Sequence, residues 1–434
     1  MTGSTIASAD RRGPSRAVAA WPIVSRERAV FVVIFATMTF NYFLCIANTV
    51  AFRVSDVIVM LSEVFLIGCA TMLTLDRRPA FPLILTVYVA YMAFILALRP
   101  QMDLKAIRDF LIPITFYFLG RRDGDVRSVD AVMFWSGVVV LIVGLLEYFF
   151  LEPYTSVVNI LQYYIARGTL AAVPEFMQGG PQLFASGQRF TDRNLLGWLL
   201  SAHRVSSIFL EPVSAGNYGG ILYIWALVRP DMRRRWLTLA LGISAIVLSD
   251  ARFGFYVCVV LTPLAVLATR LPRLLWMMAP LLAMMVIGFV GHAAVGASWD
   301  DDFTGRIRLA GLLMRNLDAA AVFGISGADL SVADSGYAYT LTHVGLVGFA
   351  VLWGLLLYAP SANRDGWRFK AQAMGFTVLC LIVSNSIFSI KIAALLWWAV
   401  GAVDGAGRTP AVERAGGTAV DPSAERRERT APAV

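Results

Sequence analysis

The chain has 434 residues, of which 58% are hydrophobic and only 15% are charged, and its formal net charge is +8. This composition excludes an ordinary soluble enzyme and indicates a protein that crosses a membrane several times. The basic residues form short clusters between apolar runs, which is typical of cytoplasmic loops, so the positive charge does not indicate nucleic acid as a partner.

Apolar segments long enough to cross a ~30 Å hydrocarbon core as helices recur along the chain. They are continuously apolar rather than alternating, so we expect an all-α, polytopic transmembrane protein. We predict about twelve spans, in chain order 29–48, 54–75, 80–98, 104–120, 129–150, 205–228, 236–250, 253–269, 274–292, 338–359, 371–388 and 390–404.

Alternate connections between these spans carry the basic clusters, at 76–78, 121–127, 229–235, 269–273 and 363–370. The positive-inside rule places these connections and both termini in the cytoplasm. Residues 29–404 then form one transmembrane domain. We expect the polar segments 1–28 and 405–434 to be disordered cytosolic tails, and no cleavable signal, because the first apolar run is too long.

The four cysteines lie within apolar segments without CxxC spacing. We interpret them as small buried hydrophobic residues rather than as disulfide or metal-binding groups.

Two long connections fall on the non-cytoplasmic side, at about 151–204 and 293–337. Each contains an amphipathic stretch that predicts short helices, TSVVNILQYYIARGTL in the first and GRIRLAGLLMRNLDAAAVFG in the second. Long loops in a compact fold usually carry function, so we expect the functional site on this side.

The stretch HRVSSIFLEPVSAGNYGG, residues 203–220, is the strongest candidate for a site. Pro212 predicts a bend at the mouth of the sixth span, and a helix that only packs would have no use for Glu211. Arg204 lies seven residues before Glu211, which would place the two on one helical face. Asn217 follows among the glycines that permit close approach.

The turn LSDARFGFY holds Arg252 at the outer end of the eighth span. A guanidinium there could bind a phosphate with two hydrogen bonds. It could also reach the lipid headgroups or pair with Asp250.

The second long connection contains DDDFTGRIRLAG, with Arg306 and Arg308 after three acids. The simplest interpretation of this segment is a run of charged side chains that are exposed to solvent. Clustered carboxylates also suit divalent cations, but consecutive acids point in different directions, so we predict no metal site.

The stretch ADSGYAYTLTHVGLVG places Asp334 and Tyr337 at the outer end of the tenth span. Asp334 could accept a proton or orient a sugar hydroxyl, or it could cap the helix, with Ser335 as the alternative cap. His343 lies two turns further in, and we interpret it as a buried histidine with satisfied hydrogen bonds.

Five stretches together resemble the Wzy-type polysaccharide polymerase and O-antigen ligase superfamily, over residues 30–400. They are RVSSIFLEPVSAGNYGG, LSDARFGF, FTGRIRLAG, FGISGADLSVADSGY and THVGLVGF, in this order. SSIFLEP and DSGY are most similar to the exopolysaccharide branch, which includes the xanthan polymerase.

The resemblance implies a GT-C-like glycosyltransferase in the bacterial inner membrane with a periplasmic active site. It would polymerise oligosaccharide repeat units carried on undecaprenyl pyrophosphate into exopolysaccharide or O-antigen. No cofactor or metal is expected, because the donor bond is already activated. A flippase and a chain-length co-polymerase are the partners that the family implies.

The resemblance also implies roles for individual residues. Arg252 matches the arginine of an SR motif, as a pyrophosphate clamp, and Arg306 matches a GR arginine of the second outer loop. Arg204 and Glu211 match an R…EP stretch, which makes Glu211 the first choice for the catalytic base and Asp334 the second. The remaining predicted substrate-binding residues are Asn217, Arg308 and Tyr337.

Two alternatives remain open. Family ligases, which transfer a finished glycan to lipid A core, carry a histidine eleven residues before the glycine that is Gly345 here, and this chain has Asp334 there. The difference disfavours a ligase. A transporter or flippase of lipid-linked sugars would distribute its charges on both faces and show repeat symmetry.

Overall fold

The computed structural model describes residues 25–75, 79–100, 103–123, 125–170, 182–188, 203–294, 303–326, 332, 334–361 and 363–406. Every regular element in these ranges is helical, apart from one isolated β-bridge between Gln188 and His203. The predicted tails and the acids Asp300, Asp301 and Asp302 lie outside the described residues, except for a few residues where each tail meets the bundle.

The helices are, in chain order, α1 (Arg26–Val50), α2 (Asp56–Thr74), α3 (Ala80–Leu98), α4 (Leu104–Asp123), α5 (Val126–Phe149), α6 (Leu151–Val157), α7 (Ile160–Ala166), α8 (Pro212–Val228), α9 (Arg235–Leu248), α10 (Arg252–Leu267), α11 (Arg273–Ala293), α12 (Phe303–Arg315), α13 (Ala319–Val322), α14 (Gly336–Tyr358), α15 (Arg364–Val383) and α16 (Ile390–Gly405). Short 3₁₀ turns at Ser207–Phe209 and Ser386–Phe388 precede α8 and α16.

The all-helical class is confirmed, and each predicted segment overlaps one helix, although two of the predicted starts differ from those of the helices by seven residues. Within the described ranges, six helices are long and apolar enough to cross a membrane, namely α1, α2, α3, α5, α11 and α14, while α9 and α10 are apolar but shorter. Large apolar side chains on the outer faces remain exposed, such as Phe65 at 68% and Met72 at 74%. An exposed apolar surface of this kind suits contact with lipid, so the chain is a membrane protein with transmembrane helices.

The predicted start of the sixth span, at residue 205, is wrong. Helix α8 begins at Pro212, which takes a first-turn position where a missing N–H is tolerated. The chain before it is not α-helical but forms the 3₁₀ turn, and Leu210 there has a left-handed φ of 63°. Pro212 therefore starts a helix rather than bending one, and Arg204 and Glu211 do not share a helical face.

Side-chain caps define the starts of several helices. Asp125 accepts hydrogen bonds from the backbone N–H groups of Arg127 and Ser128 at the start of α5. Asn363 caps α15 in the same way by accepting from Gly366. These caps satisfy N–H groups that a helix leaves without an internal partner.

The centre of the bundle is the contact between α4 and α16, and every residue of α16 is buried. The two backbones touch: a Cβ added at Gly401 would lie 2.0 Å from the Tyr117 carbonyl oxygen, and one at Gly120 would lie 2.0 Å from the Trp398 carbonyl oxygen. Glycine permits this approach because any side chain would separate the helices.

A buried ion pair joins α15 to α16 at one end of this contact. Lys370 Nζ lies 2.5 Å from Asp404 Oδ2, and both side chains are fully buried. Tyr117 and Ser361 donate to the Asp404 carboxylate, and Lys370 also donates to the Ala359 carbonyl oxygen. Helix α15 begins at Arg364 instead of residue 371, so Lys370 belongs to the core rather than to an exposed cytoplasmic cluster.

We predict that Gly401→Ala lowers the free energy of unfolding by about 1–3 kcal/mol, because the new methyl group overpacks the interface between α4 and α16. Thermal unfolding of the detergent-solubilised protein measures the effect. Gly68→Ala in α2 is the matched control, since a Cβ there meets nothing within 4 Å. Equal midpoints for the two variants would contradict the proposed close contact.

Candidate functional site

One end of the bundle brings together the segments that carry the predicted site residues. A Cβ added at Gly216 of α8 would lie 2.2 Å from the Cβ of Ala251, so α8 packs on the turn between α9 and α10. A Cβ at Gly336, the first residue of α14, would lie 2.5 Å from the Ser384 carbonyl oxygen in the link to α16. The N-termini of α8, α10, α14 and α16 therefore meet at one end, where their dipoles favour negative charge.

Glu211 stands at the start of α8 as a fixed and accessible carboxylate. The Tyr164 hydroxyl donates to its Oε1 at 2.5 Å, and the Ser214 hydroxyl donates to its Oε2 at 3.0 Å. Burial raises the pKa of the Tyr164 hydroxyl well above its usual value, so this group stays a donor. The Glu211 side chain is 31% exposed, so the protein covers it only in part.

Lys391, near the start of α16, supports this carboxylate and was not among the predicted site residues. Its Nζ donates to the Phe209 carbonyl oxygen at 3.0 Å and lies 3.9 Å from Glu211 Oε2. The ammonium is almost completely buried. It therefore holds both the turn before α8 and the carboxylate that follows that turn.

The turn before α8 has a strained backbone. Ser207 and Leu210 both have positive φ angles, of 50° and 63°. The buried carboxylate of Glu147 in α5 accepts the N–H groups of Ser206 and Ser207, at 2.9 and 2.6 Å. Such strain persists only where surrounding contacts enforce it, and it is common at functional sites.

Arg204, predicted to bind substrate, is engaged in holding the fold. Its Nε donates to the Ser249 carbonyl oxygen at 3.0 Å, and its Nη1 donates to the Ser186 carbonyl oxygen at 3.1 Å. Because residue 204 precedes the helix, its side chain reaches the turn between α9 and α10. Arg204 thus fastens the first long connection to that turn.

Arg252 is the first residue of α10, directly after this turn. Its side chain is half-buried and has no hydrogen-bonding or ionic partner among the described residues. The pairing with Asp250 that the sequence also allowed does not form. Arg252 therefore brings a positive charge beside α8 that no described residue compensates.

The other predicted charges lie on α12 and at the start of α14. Ser335 caps α14, since its hydroxyl accepts from the Ala338 N–H. Asp334 is therefore not the cap. It is 56% exposed and lies 3.7 Å from Arg306 Nη1, while the side chain of Arg308 is half-buried and has no partner in the described part of the chain.

Two predicted substrate-binding residues lie in the core. Tyr337 is fully buried and donates to the Val378 carbonyl oxygen at 2.9 Å, so its hydroxyl is already used. Asn217 is 5% exposed and donates to the Ser386 hydroxyl at 2.7 Å. These contacts join α14 to α15, and α8 to the link before α16.

A second charged cluster lies beside Glu211. Arg108 of α4 forms ion pairs with Glu63 of α2 and with Asp109. The Tyr339 hydroxyl of α14 donates to Asp109 Oδ2 at 2.5 Å. Lys391 is close enough to Glu63 for their charges to interact, so the cluster is continuous with the Glu211 region.

His343 extends the second cluster along α14. Its Nε2 lies 3.1 Å from Asp103 Oδ2, and its Nδ1 lies 2.8 Å from the Tyr339 carbonyl oxygen. The hydrogen bond from His343 holds the pKa of the Asp103 carboxyl below its ordinary value. The interpretation of His343 as a satisfied, buried histidine is confirmed.

Helix α14 is interrupted two residues after His343. Gly345 has φ 70° and ψ 163°, which no helix accommodates. The break frees backbone carbonyl groups, and Arg99 at the end of α3 donates from Nη2 to those of Thr342 and His343, at 2.8 and 2.6 Å. Irregular backbone inside a membrane bundle requires such partners.

Comparisons of the chain with protein-family models, with curated proteins and with solved structures found no match. A functional proposal therefore depends on the residues of the chain and their contacts.

Several residues of the site were not predicted. Most are ionisable and lie inside predicted spans, which is the signal that would have identified them. Tyr164 lies in the first long connection and had no such signal. The residues are Glu63, Arg108, Asp109, Glu147, Tyr164 and Lys391.

We predict that Arg99→Met destabilises the protein by about 3 kcal/mol or more. The variant leaves the carbonyl oxygens of Thr342, His343 and Gly324 without their donor, and each buried unsatisfied acceptor costs about 1–3 kcal/mol. Thermal unfolding in detergent measures the loss. Arg53→Met, at an exposed position, is the matched control, and a midpoint no lower than that of the control would show that the break does not depend on Arg99.

Proposed function

We propose that the protein is an integral-membrane glycosyltransferase that polymerises oligosaccharide repeat units carried on undecaprenyl pyrophosphate. The proposal places it in the bacterial inner membrane, with about twelve spans, cytoplasmic termini and a periplasmic site. The observation that supports it most is that one end of the bundle holds an ordered, partly exposed carboxylate at Glu211 and a guanidinium at Arg252 that has no partner among the described residues.

Glu211 and Arg252 both lie near the beginning of α8. Glu211 precedes Gly216 by five residues, which is about 8 Å along a helix axis. Gly216 contacts Ala251, and Arg252 follows Ala251 in the chain. A carboxylate and a guanidinium at this spacing can address two parts of one substrate, a hydroxyl and a phosphate.

In the proposed reaction, the hydroxyl of a new lipid-linked unit attacks the anomeric carbon of the growing chain. The hydroxyl proton passes to a carboxylate, the bond from the anomeric carbon to the pyrophosphate oxygen breaks, and undecaprenyl pyrophosphate leaves. The leaving group gains negative charge, which a fixed cation and helix N-termini stabilise.

Glu211 is the better candidate for the base. It is ordered by two hydroxyl donors, whereas Asp334 is more than half exposed and, among the described residues, is held by one 3.7 Å contact with Arg306. In this proposal Arg252 is the pyrophosphate clamp, and Arg306 and Arg308 contact the sugar or the lipid phosphate. Arg204 and Lys391 act as positioning residues, because their donors are engaged by backbone carbonyls or by Glu211.

One observation suits a transporter, since broken helices with free carbonyl groups form ion sites in transporters. The freed carbonyls at Gly345, however, are occupied by Arg99. At the opposite end of the bundle, the buried pair Lys370–Asp404 is satisfied within the protein. A charged path through the bundle is therefore disfavoured relative to a site at one end.

We predict that Glu211→Gln and Arg252→Lys each stop polymer formation in the native bacterium, while lipid-linked single repeat units accumulate. Loss of a general base costs about 10²–10⁴ in rate, and loss of one electrostatic contact to the leaving group costs about 10²–10³. Extraction and chromatography of the lipid-linked saccharides measure both. Glu152→Gln and Arg53→Lys, both at exposed positions, are the matched controls.

The identity of the accumulated species separates the alternatives. Lipid-linked long chains would indicate a ligase, and repeat units confined to the cytoplasmic leaflet would indicate a flippase. Normal polymer from both variants at normal protein levels would remove Glu211 and Arg252 from the active site. Asp334→Asn should lower the rate less than Glu211→Gln does, and the reverse order would make Asp334 the base.

A further inference from the structure

A cavity lies at the other end of the bundle, away from the charged site. Its volume is about 420 Å³, within the ~300–1,000 Å³ of typical ligand pockets. It opens between the beginning of α3 and the ends of α4 and α14. The apolar part of its lining includes Phe81, Ile84, Phe118, Leu355 and Tyr358.

The cavity exists because α3 and α14 are joined along only part of their length. In the middle of α3, the Tyr91 hydroxyl donates to the Val344 carbonyl oxygen at 2.7 Å and accepts from the Gly348 N–H. Arg99 ties the end of α3 to α14 beyond that point. Towards Ala80 and Tyr358 no described hydrogen bond joins the two helices, and they leave an apolar cleft between them.

A positive charge stands at the mouth of this cleft. Arg121 Nη1 donates to the Tyr117 hydroxyl at 2.7 Å, and among the described residues this is the only hydrogen bond of its guanidinium. The nearby carboxylate of Asp404 is already neutralised by Lys370 at 2.5 Å. Arg121, Lys370 and Asp404 together thus carry one net positive charge. The side chain of Arg122 also lines the cavity.

We propose that this cleft binds an anionic phospholipid. The headgroup phosphate contacts Arg121, and one acyl chain occupies the apolar space between α3 and α14. Basic pockets between transmembrane helices are known to select anionic headgroups. Tyr358, 48% exposed at the rim, is the kind of aromatic residue that lies at headgroup level. A zwitterionic lipid would leave the charge of Arg121 uncompensated.

Native mass spectrometry of the delipidated full-length protein in detergent tests the proposal, with titration of phosphatidylglycerol and phosphatidylcholine of matched acyl chains. The wild type should bind phosphatidylglycerol more tightly. Arg121→Gln should weaken phosphatidylglycerol about fivefold, the effect of one basic residue, and leave phosphatidylcholine unchanged. Arg121→Lys, which keeps the charge, should retain most of the preference.

Two further variants locate the site. Arg233→Gln removes an exposed arginine from the link between α8 and α9 and should change neither lipid. Ile84→Trp narrows the cleft and should lower the binding of both lipids, with a normal elution profile as evidence of folding. Equal affinities of the wild type for the two lipids, or equal losses in Arg121→Gln and Arg233→Gln, would overturn the proposal.

Discussion

Charged side chains and unpaired backbone groups are costly at membrane depth, and the inner contacts of this bundle compensate for them one by one. The break at Gly345 frees carbonyl groups, which Arg99 satisfies from a neighbouring helix. Glu147 has no described cation beside it and is satisfied by two backbone N–H groups of the turn before α8. Each of these contacts joins two separate segments of the chain. The need to satisfy buried polar groups therefore helps to fix how the helices are arranged.

The proposed site follows from the least fully compensated groups. Glu211 is ordered but partly exposed, and Arg252 has no partner in the described part of the chain. At the opposite end, the pair Lys370–Asp404 is closed to solvent. This asymmetry favours chemistry at one end, where helix N-termini add positive potential. The apolar cleft at Arg121 suits lipid rather than a reaction, because its described lining contains the guanidinium groups of Arg121 and Arg122 and no carboxylate.

Sequence patterns predicted the helical elements well, because a long apolar run has few alternatives to a helix in a membrane. The same reasoning was wrong at residues 203–211, where apolarity suggested a span but the chain forms a strained turn. Hydropathy cannot detect this turn, since it depends on Glu147 and Lys391, which lie far away in the chain. Of the predicted site residues, Glu211 and Arg252 lie at the same end of the bundle, whereas Tyr337 and Asn217 are buried in the core.

The sequence by itself determined the helical class of the protein and the clustering of charged residues near certain helix ends, because these follow from local composition and from the length of the apolar runs. Only the tertiary structure decided which charges remain available. Arg204 and Arg252 are both arginines near helix ends in the sequence, yet one is bound to backbone carbonyls and the other is not. That difference depends on which atoms from distant segments come within hydrogen-bonding distance. Those distances cannot be predicted from the local sequence.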